Sequence, residues 1–196
     1  MRRLEFAIKY RNFDWTKVLF HDETSYWMNN DQVKRWYNNE NIYDKDIVYK
    51  HPAKINIWGA ITYKNKIIDT FTENMDTTKY LDLLETKMIK IYEKDYYILG
   101  DNDPKHNSIK SKKYLKDKAI KCVDFPPHSP DLNPIENMWA ILKMNMRKDS
   151  IKNINDLRET ALFTGDKISM DHIRNTIDSM KSRLQKVIDA KGSYIN

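Results

Sequence analysis

Two aspartates stand where hydrophobic runs give out: Asp22 after Val18-Leu19-Phe20, and Asp101 after Tyr97-Ile98-Leu99-Gly100. In an open α/β sheet, ligands gather in the crevice outside the C-terminal ends of strands. Carboxylates placed there suit a hard cation such as Mg²⁺, which prefers oxygen ligands and keeps positions open for phosphate. Two such ions about 4 Å apart hold the attacking and leaving oxygens of a phosphodiester. A third carboxylate, from a helix, would complete the cradle. The same aspartates have a plainer reading, because this residue type at a strand end also makes turns and caps helices.

The helical candidate is Glu136, and its local sequence speaks for another role. Asn133-Pro134-Ile135-Glu136 fits a helix N-terminus with Asn133 as cap, Pro134 at the first position and Glu136 at the third. In that capping box the glutamate reaches back to the cap amide. Asp103-Pro104-Lys105-His106 is also ambiguous: Asp103 and Pro104 can open a turn, while Lys105 and His106 can approach a DNA phosphate. Glu23, next to Asp22, points to the opposite face if the strand continues, which suits a supporting role. Lys143 lies two turns after Glu136, on roughly the same helix face, within reach of a phosphate. Cys122, the single cysteine, reads as a small core residue.

The elements that must position these groups can be read from periodicity. Arg2–Tyr10 predicts a short helix, and Lys17–Asp22 a buried strand. Ile55–Ile61 and Lys66–Phe71 predict two strands of a hairpin around Lys64-Asn65. Thr77–Tyr92 has helical spacing on Tyr80, Leu84, Met88 and Ile91. Tyr96–Leu99 predicts a strand, Ser108–Asp117 a helix, and Lys121–Phe125 a last strand stopped by Pro126-Pro127. Asn133–Arg147 predicts a strong helix, a further one begins near Asn155, and a last one spans about 171–190 with Gly192 as its stop. The last two strands, joined through a helix, imply a parallel crossover and hence a mixed sheet flanked by helices. Residues 31–54 show no clean period and read as a solvated loop or an inserted arm carrying Lys34, Arg35, Trp36, Tyr37 and Lys50.

Composition narrows the class. At 196 residues the chain suits one domain, 1–196, and its 40% hydrophobic and 32% charged residues are a globular rather than a disordered balance. No run nears the roughly 18 apolar residues of a membrane span, so no membrane partner is expected, and no secretory signal opens the chain. One cysteine excludes an intrachain disulfide, and without a Cys-x-x-Cys pair a structural zinc site is not expected. The net charge of +6 permits nucleic-acid binding without requiring it.

Taken together, these segments resemble the mariner superfamily of transposases (Tc/mariner type). The stretch DWTKVLFHDETSYW is similar to that family's first catalytic block, LGDNDPKHNS to its second, and PPHSPDLNPIENMW to its third. The two longer blocks are highly specific. Carried over position by position, the resemblance implies Asp22, Asp101 and Glu136 as catalytic metal ligands. The 34 residues between Asp101 and Glu136 match the separation typical of this branch. Weaker similarity continues through INIWGAI and the closing SMKSRLQKVIDAKGSYI. His21 stands where a serine is common, and Leu99-Gly100 where glutamines are common; neither departure replaces a ligand.

The resemblance implies a ribonuclease H-like five-stranded sheet. It also implies two Mg²⁺ ions, replaceable by Mn²⁺, which serve hydrolysis at a transposon end and then strand transfer into target DNA. The expected partners are double-stranded DNA and a second copy in a homodimer, and the expected location is the nucleus of a eukaryotic host or another DNA-associated intracellular site. Family members carry tandem helix-turn-helix modules upstream of this region. About a dozen residues precede the first strand here, so the chain is expected to be a truncated copy or a fragment. The alternative is a silent or domesticated relic that binds DNA or a partner without cutting. Another ribonuclease H-like nuclease would need a different third block.

Overall fold

The computed structural model describes residues 2–27, 54–101, 103–146 and 151–195. Twelve elements follow in order among them: α1 (Arg2–Tyr10), β1 (Val18–Trp27), β2 (Lys54–Ile61), β3 (Lys66–Phe71), α2 (Thr77–Thr86), β4 (Tyr97–Leu99), α3 (Ile109–Asp117), β5 (Lys121–Cys122), α4 (Ile135–Asn145), α5 (Ile154–Lys167), α6 (Met170–Asp178) and α7 (Met180–Asp189). The strands form one sheet in the order β3-β2-β1-β4-β5. β1, β2 and β3 run antiparallel, whereas β4 pairs parallel to β1 and β5 parallel to β4. This is the mixed five-stranded sheet that the element order implied. Apart from Lys54, the segment read as a loop or arm lies outside the described residues.

The sheet is central because both its faces are apolar. Along β1, Val18 and Phe20 join one core while Leu19 joins the other. Along β2, Ile55, Ile57 and Ile61 face the first core, and Trp58 and Ala60 the second. This strict alternation is the period-two geometry of a strand covered on both sides. α1 and α4 to α7 supply the first cover, with α2 and α3 supplying the second. Among the described residues no helix is long and apolar enough to cross a membrane.

Several expected boundaries are corrected. β1 does not stop at Asp22; it continues to Trp27 because the antiparallel ladder to β2 runs on to Trp27 opposite Lys54. α2 ends at Thr86, whose hydroxyl donates to the Asp82 carbonyl, and a single 3-10 turn at Met88–Lys90 follows. β5 is two residues long, although Val123 N–H still reaches the Ile98 carbonyl at 2.9 Å. On that edge Cys122 is exposed rather than in the core. The closing helix is two helices. Ser179 donates its hydroxyl to the Thr176 carbonyl at 2.6 Å and separates α6 from α7.

Candidate active site

The last parallel pair between β1 and β4 is Phe20 opposite Leu99. β1 therefore projects beyond its neighbour, and Asp22 stands two residues past that final pair. It is a mid-strand residue beside an opening left by β4. Asp101 stands two residues past the end of β4, after Gly100, and lines the same opening. Glu136 enters from the first turn of α4. All three line one cavity of about 400 Å³, which the Pro126–Pro130 segment also lines.

α4 does not begin as its sequence suggested. Pro134, in helical conformation, precedes its first residue, and no side chain caps the helix. Asn133 is buried; its backbone carbonyl accepts Glu136 N–H at 3.1 Å, while its side-chain Oδ1 has no hydrogen-bond partner. The capping box is thus not formed, and the Glu136 carboxylate lines the pocket instead.

Asp22 is 9% exposed, and its Oδ2 accepts the indole N–H of Trp139 at 3.3 Å. The geometry behind this contact lies in β2. Gly59 pairs with Asp22 across the ladder, and a Cβ at Gly59 would stand 2.5 Å from the Trp139 ring. The absent side chain lets α4 lie close enough for Trp139 to reach the carboxylate. Trp139 is buried in the core beneath α4. Its offset of three from Glu136 was the available signal that both face one way.

The electrostatics of the three carboxylates differ. Burial, with the nearby charge of Glu136 and then of Asp101, pushes Asp22 up to about 7. Burial also raises Glu136; Lys143 opposes the rise and Asp101 adds to it. For Asp101 burial acts upward, but hydrogen bonds from His106 and the Asp103 amide overcome it and hold the group at about 2. Acidic groups thus converge with little compensation at the Asp22 and Glu136 end. Among the described residues no three His, Cys, Asp or Glu side chains stand close enough to enclose one ion as they are. The donor set itself, all oxygen and mutually repelling, is of the type a hard divalent cation takes.

The structure turns Lys105 and His106 inward. Lys105 Nζ meets Glu23 Oε2 at 2.8 Å and Asp103 Oδ2 at 2.7 Å, with its side chain 13% exposed. His106 is buried between Asp101 and Glu23, and although burial works against its charge, those two acceptors raise it to about 9. Glu23 takes the supporting place expected of it. Lys143 is exposed on α4. Lys34 and Arg35 lie outside the described residues. Beside the pocket, a groove of about 540 Å³ shares Pro130 and Glu136 with it and reaches Ser182 and Lys186 on α7.

Fold and site together define a class, a ribonuclease H-like α/β domain with a carboxylate-lined pocket in the crevice of its sheet. Residues 17–158 match the DDE superfamily endonuclease family, and the chain belongs to that family. The Tc3 transposase of Caenorhabditis elegans is 30% identical over 207 residues, covering all of this chain and 63% of the relative. The Tcb2 transposase of Caenorhabditis briggsae is 28% identical over 193 residues, covering 91% of this chain and 70% of the relative. The solved Mos1 transposase catalytic domain with Raltegravir and Mg superposes with a TM-score of 0.72 at 14% identity, covering all of this chain and 96% of that one. The Mos1 strand transfer complex gives a TM-score of 0.81 at 14% identity and 62% of its chain. At such identity the superpositions establish the fold. The chain spans under two thirds of the length of the Tc3 relative.

Proposed function

We propose that residues 1–196 form the catalytic domain of a Tc/mariner-type transposase that cuts and joins phosphodiester bonds in double-stranded DNA. The carrying observation is that three carboxylates from three separated sequence blocks line one cavity. Asp22, Asp101 and Glu136 would hold two Mg²⁺ ions, or Mn²⁺ in their place. Bound there, these ions would supply the Lewis acidity that activates the attacking oxygen and stabilises the leaving one.

The protein's own contribution is positioning. The rigid ladder between β1 and β2 fixes the Asp22 backbone, and Trp139 restrains its carboxylate. Asp101 is held by the loop that follows it, and Glu136 by the packing of α4 against the sheet. The crevice beyond β4 and the groove toward α7 offer a path for a strand, with Lys186 lining the groove and the exposed Lys143, whose charge reaches Glu136, available to neutralise phosphates. Concerted cutting of two DNA ends would take two active sites, and hence a homodimer. Work on chromosomal DNA would place the protein in the nucleus of a eukaryotic host.

Nicking of supercoiled plasmid in Mg²⁺ or Mn²⁺ tests the proposal. The wild type should nick, and Asp101→Asn should lose the activity. Equal activity in both would remove the assignment, and a folded wild type without activity would favour the silent relic.

A further inference from the structure

The loop after β4 folds back onto the residue that begins it. Asp103 Oδ1 accepts Lys105 N–H at 2.9 Å, its carbonyl accepts His106 N–H at 3.0 Å, and Pro104 fixes φ between them. The Ser111 hydroxyl ties the Lys105 carbonyl to the start of α3 at 2.7 Å. The turn returns the His106 ring to Asp101. There Nδ1 donates to Asp101 Oδ1 at 2.8 Å, and Nε2 donates to Glu23 Oε1 at 3.2 Å. Tyr80 packs on the ring at 4.3 Å between centroids, and His21 meets it edge-on at 5.2 Å. The imidazole is therefore fixed in plane as well as in position.

Two consequences follow from this wiring. Asp103 N–H also donates to Asp101 Oδ1, at 3.0 Å, so both donors from the described residues converge on one oxygen. That commits Oδ1 to the loop and leaves Oδ2 as the oxygen to offer a cation. Secondly, neighbouring residues of a strand point to opposite faces. β1 gives Asp22 to the pocket and Glu23 to the loop, so one strand register sets a ligand directly and anchors the other ligand's support.

We propose that His106 and Glu23 are positioning residues that present Asp101 to a divalent cation through Oδ2 alone. This rests on the metal-dependent reading above. It assigns the histidine of the second block to orienting a carboxylate rather than to touching DNA.

The test is Mn²⁺ affinity of the purified chain, measured by electron paramagnetic resonance titration without DNA, with circular dichroism as the folding check. Asp101→Asn should abolish the site. His106→Ala should weaken Mn²⁺ binding by roughly tenfold or more, the usual effect of removing a group that orients a ligand. His106→Asn, whose amide can replace Nδ1, should bind within about threefold of wild type, whereas His106→Gln, which mimics Nε2, should resemble alanine. Should His106→Ala not fold, the asparagine and glutamine variants carry the comparison. Wild-type affinity in His106→Ala, or glutamine equal to or better than asparagine, overturns the positioning role while leaving the metal site intact. No Mn²⁺ binding by wild type, or equal binding by Asp101→Asn, overturns the metal reading and this inference together.

Discussion

Asp22 shows how much of the site depends on single atoms. Its carboxylate is buried, has like charges for neighbours, and gains one neutral donor from Trp139 because Gly59 lacks a side chain. Trp139→Phe keeps an aromatic ring against β2 and deletes that donor. The expected outcome is a folded protein whose nicking rate falls by roughly tenfold, with a Tm lowered by the lost hydrogen bond, worth about 1 kcal/mol, together with the space left by the smaller ring in the core. A nicking rate unchanged from wild type would show that the contact does not orient Asp22. At this scale sequence alone was a partial guide. Asp22 and Asp101 were legible from the apolar runs before them, although the structure makes Asp22 a mid-strand residue. Glu136 was not legible from local chemistry, because Asn-Pro-x-Glu favours a cap; in the structure the Asn133 N–H is already donated to the Pro130 carbonyl and Pro134 takes the cap position, so the glutamate has no cap amide to reach.

At the scale of elements, α4 carries Glu136, Trp139 and Lys143 at offsets of three and seven, and its approach is held from both ends of the chain. Arg3 on α1 forms a two-pronged pair with Asp131 at 2.8 and 2.6 Å, and also donates to the Gly192 carbonyl. Arg183 on α7 donates to the Asp131 carbonyl and to Asn137 Oδ1. Arg3→Ala is expected to cost about 2 kcal/mol, the scale of charge-assisted bonds. Its pH dependence has a defined sign. Burial acts upward on Asp131, but the bonds from Arg3 and the Ile195 amide overcome it and hold the carboxyl below its ordinary value. A depressed folded-state pKa contributes stability above the unfolded value, about 4, and loses it as pH falls through the folded one. The difference in Tm between wild type and Arg3→Ala should therefore be full at neutral pH and shrink in strong acid; a difference that persists there would contradict the ion pair. None of this clamp was legible in sequence, since Arg3 and Asp131 lie far apart along the chain. The strands β2 and β3 were legible within a residue because each is a short β-branched and aromatic run and Lys64-Asn65 marks the turn between them. The break at Ser179 was not, because the apolar stripe continues through it.

For the molecule as a whole, the sheet order matters most. The element sequence implied a parallel crossover and a mixed sheet, yet the placement of β1 beside both β2 and β4 follows from long-range pairing that periodicity does not encode. That placement brings the first and second blocks together across one crevice. If the domain binds DNA as proposed, the net charge of +6 and the cations near Glu136 place that affinity on the surface rather than in the pocket. Affinity should fall steeply with salt, and Lys143→Ala should reduce the slope of log affinity against log salt by about 1 if that residue meets a phosphate. An unchanged slope would place Lys143 off the DNA path. The central claim, that Asp22, Asp101 and Glu136 form one metal centre, is tested most directly by anomalous diffraction from crystals grown with Mn²⁺. The account predicts manganese peaks inside the cavity, each in contact with carboxylate oxygens of this set and with Asp22 and Asp101 sharing a site. Manganese bound elsewhere, with this cavity empty at saturating metal, would contradict it.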